Sequence, residues 1–261
     1  MSWIAWAALI GAGAWIPQII YFIYYKFIKP KLNFIPESTI EIGYSFYGPI
    51  LNPTFAISAA RKDALIEKIR IKMVHDATKE EHEFIWQFLD ERGFEGTSSK
   101  GEKLEMRKTQ SAIALKIGVV GLIEKKILFN DTSFLRRRLE LETSLYEQED
   151  FLRRTRSQEY PSIIFQTKEY TDLIDFLRTS FYWKGGEYRL YLYVDEISSR
   201  KPHLEKFTFN LRKTDLDKLE RNIETTQKFL GSSIEFRAGT ITNFPYYFWN
   251  WVYPIITRIN D

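Results

Sequence analysis

From Met1 to Tyr25 the chain carries no charged residue, and Lys26, Lys29 and Lys31 then arrive together. An apolar run of that length matches the roughly 20 residues a helix needs to cross a hydrocarbon core. A helix also pairs its backbone N–H and C=O groups internally, where no water can help. Residues 1–31 are therefore expected to form a single transmembrane helix with juxtamembrane lysines, and the more polar remainder a body carried by it. A signal peptide would place Lys or Arg ahead of its apolar stretch. Met1-Ser2 supplies neither, and apolar sequence runs on past the cleavage-like Ala12-Gly13-Ala14.

Positive residues flanking a span stay on the cytoplasmic side, so the expected location is the cell membrane, single-pass, with the body facing the cytoplasm. Trp3 and Trp6 would then lie at the outer interface, and Tyr21, Tyr24, Tyr25 and Phe27 at the inner one. Ala7 and Gly11 have the small-xxx-small spacing that lets membrane helices approach closely, and Pro17-Gln18 sets a helix-kinking residue beside a hydrogen-bonding amide. Read functionally, these are the contacts of a homo-oligomer. Read plainly, Ala and Gly are common in membrane helices and Gln18 lies close enough to the interface to reach water.

In the body, alternation with period two dominates. Ile69, Ile71 and Met73 alternate with Lys68, Arg70 and Lys72, so one face is apolar and the other basic. Ile40, Ile42, Tyr44 and Phe46 repeat the pattern, as do Phe84, Trp86 and Phe88. Ala112–Phe129 is mostly apolar but broken by Gly118 and Gly121, which fits two consecutive strands or one bent one. Phe181-Tyr182-Trp183 leads through Gly185-Gly186 into Tyr188, Leu190, Leu192 and Val194, a hairpin signal. Phe207, Phe209 and Leu211 supply another strand. With hydrophobic residues at 44% and aromatics at 16%, the body has ample material for a packed core.

Many short strands separated by turns indicate a mainly β body. Through Tyr182-Trp183…Gly186-Glu187-Tyr188-Arg189-Leu190 it resembles an immunoglobulin-like or arrestin-like β-sandwich. The resemblance is one of architecture, covers about half the body and implies no activity, because function lives in sites rather than folds. The expected organisation is an anchor over 1–31, a β-sandwich body over 32–237 and an aromatic segment over 238–261. Two α-helices are inserted or appended. One runs over about 133–156, capped by Asp131, Thr132 or Ser133, with Leu135, Leu139, Leu145 and Leu152 on one side. The other runs over about 214–230, with Asp217 three residues after Thr214 and Gly231 at C′.

Signatures of catalysis are missing. The sequence has no G-x-S-x-G elbow, no phosphate-binding G-x-x-x-x-G-K, no H-E-x-x-H and no dinucleotide fingerprint. Zero cysteines excludes disulfides, thiolate metal sites and cysteine nucleophiles. His75 and His82 face each other across the turn their strands predict, but two histidines without a third ligand read as a polar turn, so neither metal nor cofactor is expected. A net charge of +3 does not point to nucleic acid, which is not an expected partner.

Two passages stand out. Arg136, Arg137 and Arg138 are the densest basic run and suit anionic headgroups, although Glu140, Glu142, Glu147, Glu149 and Asp150 lie close enough to make it half of a salt-bridged solvent face. From Ala238 to Thr257 no residue is charged and the middle is crowded with rings, and Phe244, Tyr247, Trp249 and Trp251 suit either the headgroup layer or packing on the body. The expected function is a non-catalytic membrane-anchored β-sandwich module that binds a partner protein or ligand at the cytoplasmic membrane face. The alternative is a membrane-perturbing effector subunit of toxin or immunity type, activated through a partner and acting by clustering of its helix. A hydrolase ranks third.

Overall fold

The computed structural model describes residues 3–97, 103–155 and 159–259, and the surroundings of their side chains except within 3–14, 91–107 and at 161. One α-helix, α1, covers Trp3–Phe27. Strands β1 (Lys31–Ser45), β2 (Gly48–Ala60), β3 (Ala64–His75), β4 (Glu81–Thr97), β5 (Lys103–Ser111), β6 (Leu115–Ile117) and β7 (Leu122–Asp131) follow. Helices α2 (Thr132–Thr155), α3 (Tyr160–Ile163) and α4 (Lys168–Thr179) come next, then β8 (Gly186–Glu196), β9 (His203–Leu211), α5 (Lys213–Ala238) and β10 (Ile256–Arg258). Strand makes up 41% and helix 36%, more helix than the anchor and two further helices would supply.

The expected sandwich is instead one antiparallel sheet in the order β1-β2-β7-β4-β3-β8-β9-β10. Its ends meet. The Ile40 and Ile42 N–H groups donate to the Pro254 and Val252 carbonyls at 3.0 and 2.9 Å, and Val252 returns a bond to Ile42 at 3.0 Å. The sheet is thus a nearly closed barrel, and closure removes the unpaired edges that an open sheet must protect. A period of two specifies which residues face inward, but it is identical for a sandwich and a barrel; the difference lies in long-range strand pairing. A ring of about eight strands leaves an interior that side chains fill. Phe34, Ile42, Tyr44, Phe55, Met73, Trp86, Phe129, Tyr188 and Phe207 fill it, each 5% exposed or less.

Connections fall at two ends. α1 enters at one, together with the turns over 61–63 and 118–121 and the loop over 197–202. The opposite end carries the β1–β2 turn, the β3–β4 turn and the starts of α2 and α5. There the helices form a second core, with Phe46, Phe134, Leu141, Leu145, Leu152, Ile164, Leu173, Leu177, Leu230 and Ile234 packed together. α5 joins the two cores: Leu216, Leu219 and Ile223 pack against the barrel and Leu230 and Ile234 lie in the helical layer.

Four local expectations change. Phe88 is 42% exposed while Leu89 is buried, because the register against β7 slips between Trp86 and Phe88 and a bulge reverses the faces that follow it. The Gly185-Gly186 passage is not a hairpin turn. Phe181–Trp183 is irregular, and Trp183 is buried with its indole N–H on the Gly43 carbonyl at 3.0 Å. α3 and α4 were not expected at all. α5 runs past Gly231 to a left-handed Gly239 at φ 74°, since burial of Ile234 and Leu230 outweighs the propensity cost of one internal glycine, ~1 kcal/mol. Its N-terminus is closed by Asp215, whose carboxylate accepts from the Arg212 N–H at 3.1 Å, rather than by Thr214 and Asp217.

Candidate functional site

Every side chain of α1 from Trp15 to Phe27 is exposed, including Pro17, Gln18, Tyr21, Tyr24, Tyr25 and Lys26. Trp15 is 64% exposed, Phe22 68% and Phe27 75%. Among the described residues no helix is long and apolar enough to cross a membrane. For α1 the described side chains are 15–27 alone, a length of about 20 Å at 1.5 Å per residue. Trp3, Trp6, Ala7 and Gly11 have side chains outside the described residues. Lys29 and Lys31, in and just after the link to β1, are both exposed.

The aromatic C-terminal segment lies against the helical layer. Asn222, fully buried on α5, accepts from the Asn250 N–H at 2.8 Å and donates to the Asn250 carbonyl at 2.8 Å. The Tyr247 hydroxyl bonds Ser232 Oγ at 2.7 Å. Phe244, Tyr247 and Trp249 surround Phe229 at ring distances of 5.4, 5.7 and 6.1 Å. The Trp251 ring lies flat on Gly43, where any Cβ would fall 2.2 Å from it. Because this segment is extended, its faces alternate: Tyr247, Trp249 and Trp251 turn to the body, whereas Tyr246 (80% exposed) and Phe248 (79%) turn out. Phe229 also touches Phe46 at 5.3 Å, which places these rings at the barrel end opposite α1, a strand length away along β1.

The arginines of α2 stand at that same far end. Arg138 lies over the Phe46 and Tyr47 rings at 4.8 and 5.0 Å and pairs with Glu142 at 3.4 Å. Arg137 pairs with Glu140 three residues on at 2.9 Å, and Arg136 is exposed. The buried stripe of α2 is Phe134, Leu141, Leu145, Glu149 and Leu152. Leu139 is exposed, and Glu149 is not part of a solvent face. Its carboxylate receives Arg237 at 2.9 Å, Arg153 at 3.0 Å and the Tyr160 hydroxyl. Burial alone would raise its pKa, but the bonds from Arg237 and Tyr160 hold it below the ordinary carboxylate value. Its position in the heptad-like spacing of α2 was the available signal, hidden because carboxylates are expected on solvent faces.

On the barrel wall β3, β4 and β8, with Pro202 of the β8–β9 loop, form an open groove of about 480 Å³, lined also by Arg70, Lys72, Glu81, His82, Glu83 and Tyr193. Its cations are already paired: Arg70 with Asp195 at 3.3 Å and Glu83 at 3.7 Å, Lys72 with Glu81 at 2.7 Å. His75 and His82 do not meet. His75 bonds Thr78 and the Gly185 carbonyl. His82 stacks on Tyr182 at 3.5 Å beside Asp131, and burial holds its pKa below the ordinary imidazole value. Asp131 caps α2, its Oδ1 accepting from the Ser133 and Phe134 N–H groups at 2.9 and 3.0 Å. Among the described residues no group of three or more His, Asp or Glu is arranged to hold a metal ion.

Comparison with protein-family models, with curated proteins and with solved structures finds no match to this chain.

Proposed function

We propose that the chain is a non-catalytic module: a β-barrel held at the cytoplasmic face of the cell membrane by α1 and presenting its far end to a partner protein. The observation that carries this reading is α1 itself. A helix that carries no charge before Lys26 and whose described side chains are all exposed, in apolar residues as large as Trp15, Ile20 and Phe22, needs an apolar medium around it. Hydrocarbon supplies one, and the lysines that follow fit the cytoplasmic border. The reading places recognition on the outer surfaces of the barrel. Tyr246 and Phe248 expose a pair of rings 4.7 Å apart at the far end, and aromatic residues are enriched in the centres of protein interfaces.

The chain should remain with membranes after alkaline extraction, and a reporter fused behind Asp261 that works only outside the cytoplasm should stay silent. Ile10→Lys with Ala14→Lys should release the chain into the soluble fraction, since each charge at mid-span costs about 2.5–3.5 kcal/mol of insertion. Retention of that variant on the membrane would overturn the anchor. Replacing residues 4–23 with an unrelated apolar 20-mer separates a tether from an effector acting through Ala7, Gly11 and Gln18. A tether keeps its partner; an effector loses membrane depolarisation.

A further inference from the structure

We infer that the α1 end of the barrel is itself a membrane-contacting surface, with the β6–β7 turn Val119-Val120 entering the headgroup region of an anionic bilayer. The inference rests on the anchor assigned to α1. Gly121 N–H bonds the Gly118 carbonyl at 2.9 Å and closes a tight turn. Gly, Pro, Asn, Asp and Ser usually occupy turn positions, each for a conformational reason; here two valines sit at the tip, β-branched residues suited to strands. Val120 is 96% exposed and Val119 44%. Close by, Leu122 is 66% exposed on the strand that leaves the turn, and Ile197, whose N–H bonds the Leu65 carbonyl at 3.1 Å, is 59% exposed. One exposed apolar side chain needs no explanation, whereas several at one end of a domain mark a contact surface.

A chain of contacts leads from that tip to α1. The Val119 N–H donates to Asp63 Oδ1 at 2.9 Å. Next to Asp63, the Lys62 ammonium lies 5.2 Å from the centre of the Tyr25 ring, in the last turns of α1. Where α1 leaves a bilayer, the Val119-Val120 tip is therefore carried to the same level. The surrounding charge suits anionic headgroups: Lys29, Lys31, Arg61 and Lys116 are exposed around this end. Its acidic neighbour Asp63 is engaged by Lys116 at 3.9 Å and by Val119. Lysines near the surface attract acidic lipid and valines at the tip enter the apolar boundary, the two terms that govern interfacial binding. The Tyr246 and Phe248 rings, at the opposite end, stay clear of this surface.

The chain has no cysteine, so single introduced cysteines carry an environment-sensitive fluorophore on the full-length protein. Val120→Cys, Ile20→Cys and Phe248→Cys are compared in vesicles of phosphatidylcholine with phosphatidylglycerol. At Val120 the label should shift to the blue, be quenched by doxyl-labelled acyl chains and be shielded from iodide, as at Ile20. At Phe248 it should be open to iodide and indifferent to doxyl lipid. Removing phosphatidylglycerol should weaken the Val120 signal and leave that of Ile20. A wet label at Val120 beside a lipid-buried one at Ile20 overturns this surface and leaves the anchor standing. A wet label at Ile20 overturns the anchor as well. Shielding from iodide without doxyl quenching would mean that another copy of the chain covers the tip, which also overturns the lipid contact. Unchanged melting of each variant verifies that the barrel is intact.

Discussion

The barrel buries its apolar side chains behind a continuous backbone ladder, whereas the helical layer at its far end interrupts its own apolar stripe with the Glu149 carboxylate and then surrounds that carboxylate with Arg237, Arg153 and Tyr160. In the barrel, neighbouring strands of the main path satisfy one another's backbone hydrogen bonds, so inward positions need only fit in volume. The helices satisfy their own backbones and have no ladder to align them. Three of them, α2, α3 and α5, converge on one charged group instead, and hydrogen-bond geometry sets their relative placement. A buried ion pair is weak evidence for stability but a good device for specifying one arrangement.

The largest effect should come from the barrel. Trp86 is 5% exposed and packed in the main core, so Trp86→Ala should cost about 3–5 kcal/mol and lower the melting temperature of the whole chain. If only the helical layer loosened, the two cores would not be one cooperative unit. Next, Glu149→Ala removes the acceptor shared by Arg237, Arg153 and Tyr160, and hydrogen bonds to charged groups contribute about 1.5–3 kcal/mol. Since Arg237 remains partly solvated, about 2 kcal/mol is expected from urea unfolding, with amide exchange quickening in α2 and α5 before the strands. Equal quickening in β3 and β8 would erase the proposed division of labour.

The smallest effect concerns the seam, where His82 of the barrel stacks on Tyr182 beside the Asp131 cap of α2. Burial lowers the His82 pKa, so the unfolded chain takes up that proton more readily than the folded one. The resulting stabilisation is complete above the unfolded value of about 6.5 and declines as pH falls through it. His82→Phe keeps a ring on Tyr182 and removes the proton. The urea midpoint of this variant should vary less with pH below about 6.5 than that of the parent, and an unchanged slope would assign the titration elsewhere.

Much of the wall was legible from period two: Ile69, Ile71 and Met73 face inward with Arg70 and Lys72 outward, and Trp86 is core. The break at Gly118 and Gly121 does separate β6 from β7. Phe88 was misplaced because a bulge is invisible to a pattern that counts by twos. Tyr247, Trp249 and Trp251 could be listed as ring-rich, but their turning inward while Tyr246 and Phe248 turn outward depends on Asn222 holding Asn250. The exposed turn at Val119-Val120 was in plain view, yet only its place beside Asp63 and Lys62 ties it to the end that carries α1.

By itself the sequence determined an uncharged opening run followed by lysines, a body built mainly of alternating strands, a chain without cysteine, and one long helix after Asp131. These follow from local periodicity and composition, which act over a few residues at a time. Only the tertiary structure decided that the strands close into a barrel, that α5 spans two cores, that Glu149 lies inside, and which end each aromatic occupies. Those outcomes rest on pairings such as Ile42 with Val252 and Glu149 with Arg237. Their partners are far apart in sequence, and no short-range pattern encodes the free energy of bringing them together.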